Sequence, residues 1–175
     1  MPAEHLPEIA VAAAAQGLDA TLVRALVLVE SGGQPWAWNP EPRYQYLWDV
    51  RRAVPFRVLT EAERVAEFPP PDFPTLAGDP DQEWWGQQAS WGLMQVMGAV
   101  ARERGLRVPY LPVLCDPATN LGVGCGHLAA LLAWAHGNVA QALAAWNGGK
   151  GGNTAAPYRN QAYADRVLHR KGTLT

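Results

Sequence analysis

Apolar residues recur along much of this chain at intervals of three and four, the spacing that puts side chains on one face of a helix. Leu6, Ile9, Ala10 and Ala13 share such a face and predict a first helix over residues 4–16. Asp19 then stands as an N-cap before a second helix over residues 20–31, whose stripe is Val23, Leu26 and Val27 and which Gly32-Gly33 ends. Leu93, Val96, Met97 and Val100 predict a third helix over residues 92–104, with Gly105 to stop it. Asp116-Pro117 is an N-cap followed by proline at the first helical position, and Leu121, Cys125, Leu128, Leu132 and Ala135 carry the stripe onward to Gly137. A short helix over residues 139–146 with Asn147 as its C-cap, and a last one over residues 161–168, complete the reading. Strand signals are weak throughout, so the expected fold class is mainly α, one domain spanning residues 1–175.

One long stretch breaks the pattern. Between Gly33 and Ser90 the chain turns rich in aromatic and turn residues, opening with Trp36-Ala-Trp-Asn-Pro-Glu-Pro-Arg-Tyr-Gln-Tyr-Leu-Trp. Thr60-Glu-Ala-Glu is a capping box that predicts a short helix, and Pro69-Pro-Pro-Asp-Phe-Pro forbids regular structure after it. Residues 34–89 therefore read as an irregular insertion, either a functional loop that walls a cleft or a loosely held excursion.

Composition narrows the partners. Hydrophobic residues make up 49% of 175, enough for a core without metals or disulfides. A net charge of −2, a pI near 6.1 and scattered Lys and Arg argue against a nucleic-acid partner. No apolar run approaches the ~20 residues of a membrane span. The start Met1-Pro-Ala-Glu-His-Leu lacks the basic opening of a secretory signal, so synthesis in the cytoplasm is expected. Cys115 and Cys125 lie more than a helical turn apart along the predicted helix and are expected as small buried hydrophobes, not a bridge. Four dispersed histidines form no zinc-like set, and no metal or cofactor is expected.

The chemistry gathers at Glu30. It follows Val23, Leu26 and Val27 by seven, four and three residues, which places a carboxylate on the apolar face at the helix end. Desolvation and the negative end of the helix dipole both favour its protonated form, which general-acid catalysis requires. A frayed last turn that lets Glu30 reach water is the alternative. Three further segments stand out: Ser90-Trp91-Gly92-Leu93-Met94-Gln95, Ala144-Ala145-Trp146-Asn147-Gly148-Gly149, and Tyr163-Ala-Asp-Arg-Val167. Each alone fits an ordinary role: Gln95 an exposed helix residue, Asn147 a cap, Tyr163 a core aromatic.

In order, Glu30-Ser31, Gly92-Leu93-Met94-Gln95, Ala145-Trp146-Asn147, and Tyr163 with Val167 resemble the motifs of the SLT-type lytic transglycosylases, a lysozyme-like family that includes goose-type lysozymes. Leu114-Cys-Asp-Pro-Ala-Thr-Asn-Leu resembles the family's Asp-Pro-x-x-Asn helix start. The chain departs in two places: Trp146 stands where the family has Tyr, keeping an aromatic wall and losing a hydroxyl, and the distance from Ser31 to Gly92 is long. The longer form resembles phage or prophage versions of the domain, which implies a virion or a holin-made lesion as the route to the wall. The resemblance implies a lysozyme-like helical domain acting on the glycan strands of peptidoglycan in the periplasm. It implies cleavage of the β-1,4 bond between N-acetylmuramic acid and N-acetylglucosamine with formation of 1,6-anhydro ends. Glu30 would be the acid and then the base, Ser31 and Tyr163 would support it, and Gln95, Met94, Asn147, Trp146 and Trp91 would contact substrate. Trp36, Trp38 and Trp48 are further candidates for stacking on sugars, whereas Trp134 fits the core. Two rival readings stay open. A muramidase would draw a second carboxylate from Glu41, Asp49, Asp72, Asp79, Asp81 or Glu83. A catalytically idle peptidoglycan-binding or virion module would keep the tryptophans and need no buried acid.

Overall fold

The computed structural model describes residues 5–76 and 79–174. In chain order its elements are α1 (Leu6–Ala15), α2 (Ala20–Glu30), β1 (Trp38–Pro40), β2 (Trp48–Asp49), β3 (Val54–Pro55), α3 (Glu61–Arg64), α4 (Pro80–Gln87), β4 (Ala89–Trp91), β5 (Val96–Met97), α5 (Gly98–Glu103), α6 (Pro117–Trp134), α7 (Val139–Gly148) and α8 (Gln161–Gly172). The fold is mainly helical, as the periodicity predicts. Glu4, the first residue of the predicted opening helix, lies outside the described residues. No helix among the described residues is long and apolar enough to cross a membrane.

The chain divides into two compact units. One joins the residues up to Gly33 with those from Gly124 onward, and the other is Gln34–Val123. In the first, α2 packs on α1 and α8, and α7 packs on α8. Asp19 caps α2 as predicted, accepting from Thr21 N at 2.8 Å, and its other oxygen pairs with Lys171 Nζ at the end of α8, also at 2.8 Å. Val23, Ala25, Leu26 and Val27 are fully buried along α2, and Ala164 and Val167 are the matching buried positions of α8. Each large aliphatic removed from water here contributes roughly 1.5–3 kcal/mol. Leu131, Ala135, Ala142 and Ala145 form a second patch, with Leu132, Trp134 and Trp146 packed at its margin. The alanines on α7 leave room for the tryptophans beside them.

The second unit is built differently. β1, β4 and β5 form a small antiparallel sheet in that spatial order, with Trp38 opposite Trp91 and Ser90 opposite Met97; β2 and β3 form a separate hairpin. Leu47, Leu59, Phe73 and Trp84 make its core, where Phe73 meets Phe56 and Trp84 edge-on, each pair with centroids 5.1 Å apart. A buried polar network crosses it. Gln87 accepts from Trp48 N at 2.7 Å and donates to Trp48 O at 3.0 Å and to Glu83 at 2.9 Å. Glu83 faces Arg102 through two bonds of 2.9 and 2.7 Å, and Arg102 also donates to the carbonyls of Leu106 and Val108. Every partner in that network is satisfied, which is what makes a buried charge pair tolerable. Outside it, Arg57 bridges Glu63 and Asp72. The Thr60 capping box forms as predicted.

Three expectations are corrected. The helix predicted over residues 92–104 is a β-hairpin followed by a short helix: Gly92–Gln95 is the turn between β4 and β5, and α5 begins only at Gly98. The apolar spacing that imitated a helix comes from consecutive burial, since Leu93, Met94 and Val96 are all in the core. The insertion is not wholly irregular. It contains α4, started by Asp79 accepting from the N–H groups of Asp81 and Gln82, with Pro80 next, the same signal that starts α6. Asn147 does not cap α7; the helix continues through Gly148 and ends at Gly149, whose φ of 74° suits only glycine comfortably. Cys115 and Cys125 are both free thiols; Cys125 is buried and its thiol pushed up to about 11, whereas Cys115 is partly exposed.

Candidate active site

Glu30 is the last residue of α2 and is partly buried at the end of the apolar stripe. Ser31 closes the helix behind it. Its N–H and Oγ both donate to Val27 O, at 3.0 and 3.2 Å, and its Oγ accepts from Gly33 N at 3.1 Å. The chain then leaves through Gly32 and Gly33, both at positive φ. The carboxylate is therefore held on a finished helix end and not on a frayed turn.

Two side chains from distant segments converge on it. α8 brings the Tyr163 hydroxyl, which donates to Glu30 Oε1, and α7 brings the Trp146 indole, whose Nε1 donates to the same oxygen at 3.0 Å. Tyr163 is 5% exposed, so its hydroxyl is taken from water and fixed on the acid. The indole is fixed in turn by the margin of the α6–α7 core and by His127, whose ring lies 5.3 Å from it. Burial raises the pKa of Glu30 above the ordinary carboxylate range; the bonds from Tyr163 and Trp146, and the charge of Arg166, oppose that rise without cancelling it. The Arg166 guanidinium lies over the Tyr163 ring, 5.5 Å from its centroid. Burial and the adjacent Glu30 raise Tyr163 far above the usual phenol value, so it remains a donor.

From the sequence, Trp146 is expected as an aromatic wall without a hydroxyl. The geometry shows the replacement to be a donor: an indole carries one N–H and no acceptor. That property was visible in the residue type; its direction was not.

Next to it, Asn147 takes part in a row of amides. Asn160 Nδ2 donates to Asn147 Oδ1 at 2.7 Å, and Asn160 N donates to the Oδ1 of fully buried Asn153 at 3.1 Å. Asn153 donates to Gly149 O at 2.7 Å. Asn160 stands at the N-cap of α8, yet its side chain does not cap the helix and serves Asn147 instead. With Oδ1 engaged, the exposed Asn147 amide offers its N–H groups outward. Gly148 keeps this possible, because a Cβ there would collide with the Asn160 amide. Asn153 and Asn160, which the sequence does not single out, hold the Asn147 amide in this row.

The other predicted site residues belong to the second unit. Gln95 has positive φ and an engaged amide: Nε2 donates to the carbonyls of Ala37 and Gly92 at 3.1 and 3.0 Å, and Oε1 accepts from Ser90 Oγ at 3.0 Å. The Met94 side chain has no exposure, and its N–H donates to Asn120 Oδ1 at 2.8 Å. Asn120 also donates to the carbonyls of Trp91 and Leu114, at 2.8 and 2.9 Å. A Cβ at Gly92 would strike Leu114 O and the Asn120 amide, so two separate sequence motifs are one lock around the hairpin turn. Trp91 is partly exposed, its Nε1 bound to Gly86 O, and Trp38 lies beside it at 6.0 Å with half its surface free. Trp36 is exposed, Trp48 half-buried, and Trp134 partly buried against the α6–α7 core.

Most carboxylates of the insertion already have structural duties. Glu41 accepts from Asn39, Asp49 from the N–H groups of Arg51 and Arg52, and Asp72 from Arg57; Asp79 caps α4, and Glu83 pairs with Arg102. Asp81 lies in the first turn of α4. Among the described residues no group of three or more His, Cys, Asp or Glu is placed to hold a metal ion.

Compared with known families, residues 8–168 match the sequence model of one described as the Transglycosylase SLT domain. No curated protein matches the chain.

Proposed function

We propose that this chain, which belongs to the SLT transglycosylase family, cleaves the β-1,4 bond between N-acetylmuramic acid and N-acetylglucosamine by intramolecular transfer, with Glu30 as the sole proton carrier. Membership makes it a peptidoglycan-acting enzyme domain of the lytic transglycosylase type, acting at the cell wall. The bond, the product and the residue roles are our reading of the site.

In this reading protonated Glu30 donates to the glycosidic oxygen as the C1–O bond breaks. The sugar's own N-acetyl oxygen supports the positive charge that develops at C1, as in substrate-assisted glycosidases. Ionised Glu30 then takes the proton of the 6-hydroxyl while that oxygen bonds to C1. The acid is restored, and a 1,6-anhydro end replaces a reducing end without consumption of water. A single carboxylate serves both transfers only if it ionises and reprotonates readily. The observation that carries the proposal is the setting of Glu30: buried enough to be raised, and hydrogen-bonded by neutral donors.

Tyr163 and Trp146 orient the acid, and Ser31 closes the helix that positions it. Asn147 offers N–H groups to the carbonyl or hydroxyl oxygens of the glycan. Trp91 with Trp38 forms a platform suited to the C–H face of a pyranose. Gln95 and Met94 build the hairpin turn that carries Trp91. The structural duties of Glu41, Asp49, Asp72, Asp79 and Glu83 support a lyase over a muramidase, which needs a carboxylate free to activate water. Mass spectrometry of muropeptides released from purified peptidoglycan tests the product. Anhydro ends are expected; reducing ends would overturn the lyase reading, and no release at any pH would overturn the enzyme reading.

A further inference from the structure

Two donors meet on one oxygen of Glu30, and they differ in what they permit. Tyr163 reaches Oε1 with a hydroxyl, a group that can donate or accept. If Oε1 carried the proton, a hydroxyl could rotate and accept it, so Tyr163 alone leaves the acid's proton undecided between Oε1 and Oε2. Trp146 removes that freedom. Its indole nitrogen donates only, at 3.0 Å from the same oxygen, and a proton on Oε1 would face an N–H with nothing to receive it. The indole cannot turn away easily, because His127 lies against it and the α6–α7 core holds its edge.

We propose that Trp146 is a positioning residue which assigns the catalytic proton to Oε2 of Glu30, so that Oε2 is the oxygen that protonates the leaving group and later receives the proton of the 6-hydroxyl. The assignment rests on Glu30 being the acid of the proposed reaction. It gives the Trp found where the family carries Tyr a function that a hydroxyl at the same place would perform less decisively. A carboxylic acid whose proton sits on a known oxygen loses no catalytic turns to the wrong tautomer. The same N–H favours the ionised state and so offsets part of the rise caused by burial. Among the described residues the groups that act on Glu30 are Tyr163 and Arg166 from α8 and the non-titrating indole from α7; His127 of α6 lies against that indole, and on α1, which also packs against α2, Glu8 lies beside His5 at 4.0 Å.

The test is an NMR titration of the full chain, which requires no turnover. In the wild type, the indole N–H resonance of Trp146 should step at the midpoint of Glu30 and stay near its hydrogen-bonded position on the acid side. If it moves below that midpoint to the position it takes in Glu30→Ala, Oε1 carries the proton and the proposal falls. In Trp146→Phe, with carbon-13 at the Glu side-chain carboxyl, the Glu30 midpoint should shift to higher pH, and Trp134→Phe should leave it in place. Coincident titrations of wild type and Trp146→Phe would overturn the role of the indole. Should Trp146→Phe fail to fold, the wild-type indole titration decides by itself. Failure of the proposed reaction would show separately, in the muropeptide products.

Discussion

The helical unit and the strand-bearing unit each take a glutamate away from water, and they hold it in opposite ways. Glu83 faces a guanidinium through two parallel bonds, with Gln87 on the same oxygen and Arg102 anchored further by two carbonyls. Among the described residues Glu30 is bonded by two neutral donors, both on one oxygen, and the Arg166 guanidinium that acts on it lies over the Tyr163 ring. A carboxylate locked against a buried cation is a structural fixture. One held by neutral groups in a desolvated corner keeps both protonation states within reach. The comparison teaches that the charge and number of the partners distinguish a carboxylate fixed in the structure from one proposed to move a proton.

The largest expected effect comes from Glu30→Gln, which retains the shape and removes the transferable proton. Turnover on peptidoglycan should fall on the order of 10²–10⁴-fold; near-normal turnover would end the claim that Glu30 is the working carboxylate. The opposite substitution is Arg102→Met, which leaves Glu83 buried without its cation. It should cost roughly 3–5 kcal/mol in urea unfolding. A loss below about 1 kcal/mol would mean that Glu83 is no more fixed than Glu30. Converting both partners at once, Glu83→Leu with Arg102→Met, should recover most of the loss.

A third test reads Glu30 through pH. The folded pKa of Glu30 lies above its unfolded value of 4.5. Its contribution to stability is therefore fully present below that value and lost as pH rises through the raised folded pKa. Glu30→Gln should consequently gain thermal stability on the wild type as pH rises across that window, with the gain levelling off above it. The alkaline limb of turnover should fall in the same window, because the acid must be protonated to begin. A constant difference in melting temperature across the range would show that Glu30 is not raised. The smallest effect is expected from Asn160→Asp, which replaces the donor to Asn147 Oδ1 by an acceptor and turns the Asn147 amide around. KM should rise about 3–10-fold, the worth of one hydrogen bond, with kcat little changed; an unchanged KM would remove Asn147 from the substrate contacts.

Much of the acid's setting was legible in the sequence, because it depends on local rules. Asp19 marks the start of α2, and spacing from Val23, Leu26 and Val27 fixes the face on which Glu30 emerges. Tyr163 was found through motif order, and its stripe with Val167 places both on the buried side of α8. The donor role of Trp146 was not legible, since it depends on α7 turning an indole toward a residue 116 positions earlier. Asn160 was hidden for a related reason: it occupies an N-cap, where Asn is ordinary, and uses its side chain elsewhere. The hairpin imitates a helix because Leu93, Val96, Met97 and Val100 satisfy helical spacing, although Leu93 is buried in the turn, Val96 and Met97 lie on β5, and only Val100 belongs to a helix. Gly92 and Gly98 were the available warning, since both sit where a side chain would meet backbone. The start of α4 was missed although Asp79-Pro80 repeats the Asp116-Pro117 signal. The proline-rich stretch before it and the lack of an apolar stripe concealed a helix anchored by polar residues.

The lock around the hairpin turn bears on how such a chain can change over generations. Replacing Gly92 first drives a methyl into Leu114 O and the Asn120 amide. Replacing Asn120 first orphans two carbonyls and the Met94 N–H. Neither step has a harmless intermediate, so the two positions are expected to drift together or not at all. A lineage that inherits one is held to the other, however far its remaining sequence wanders.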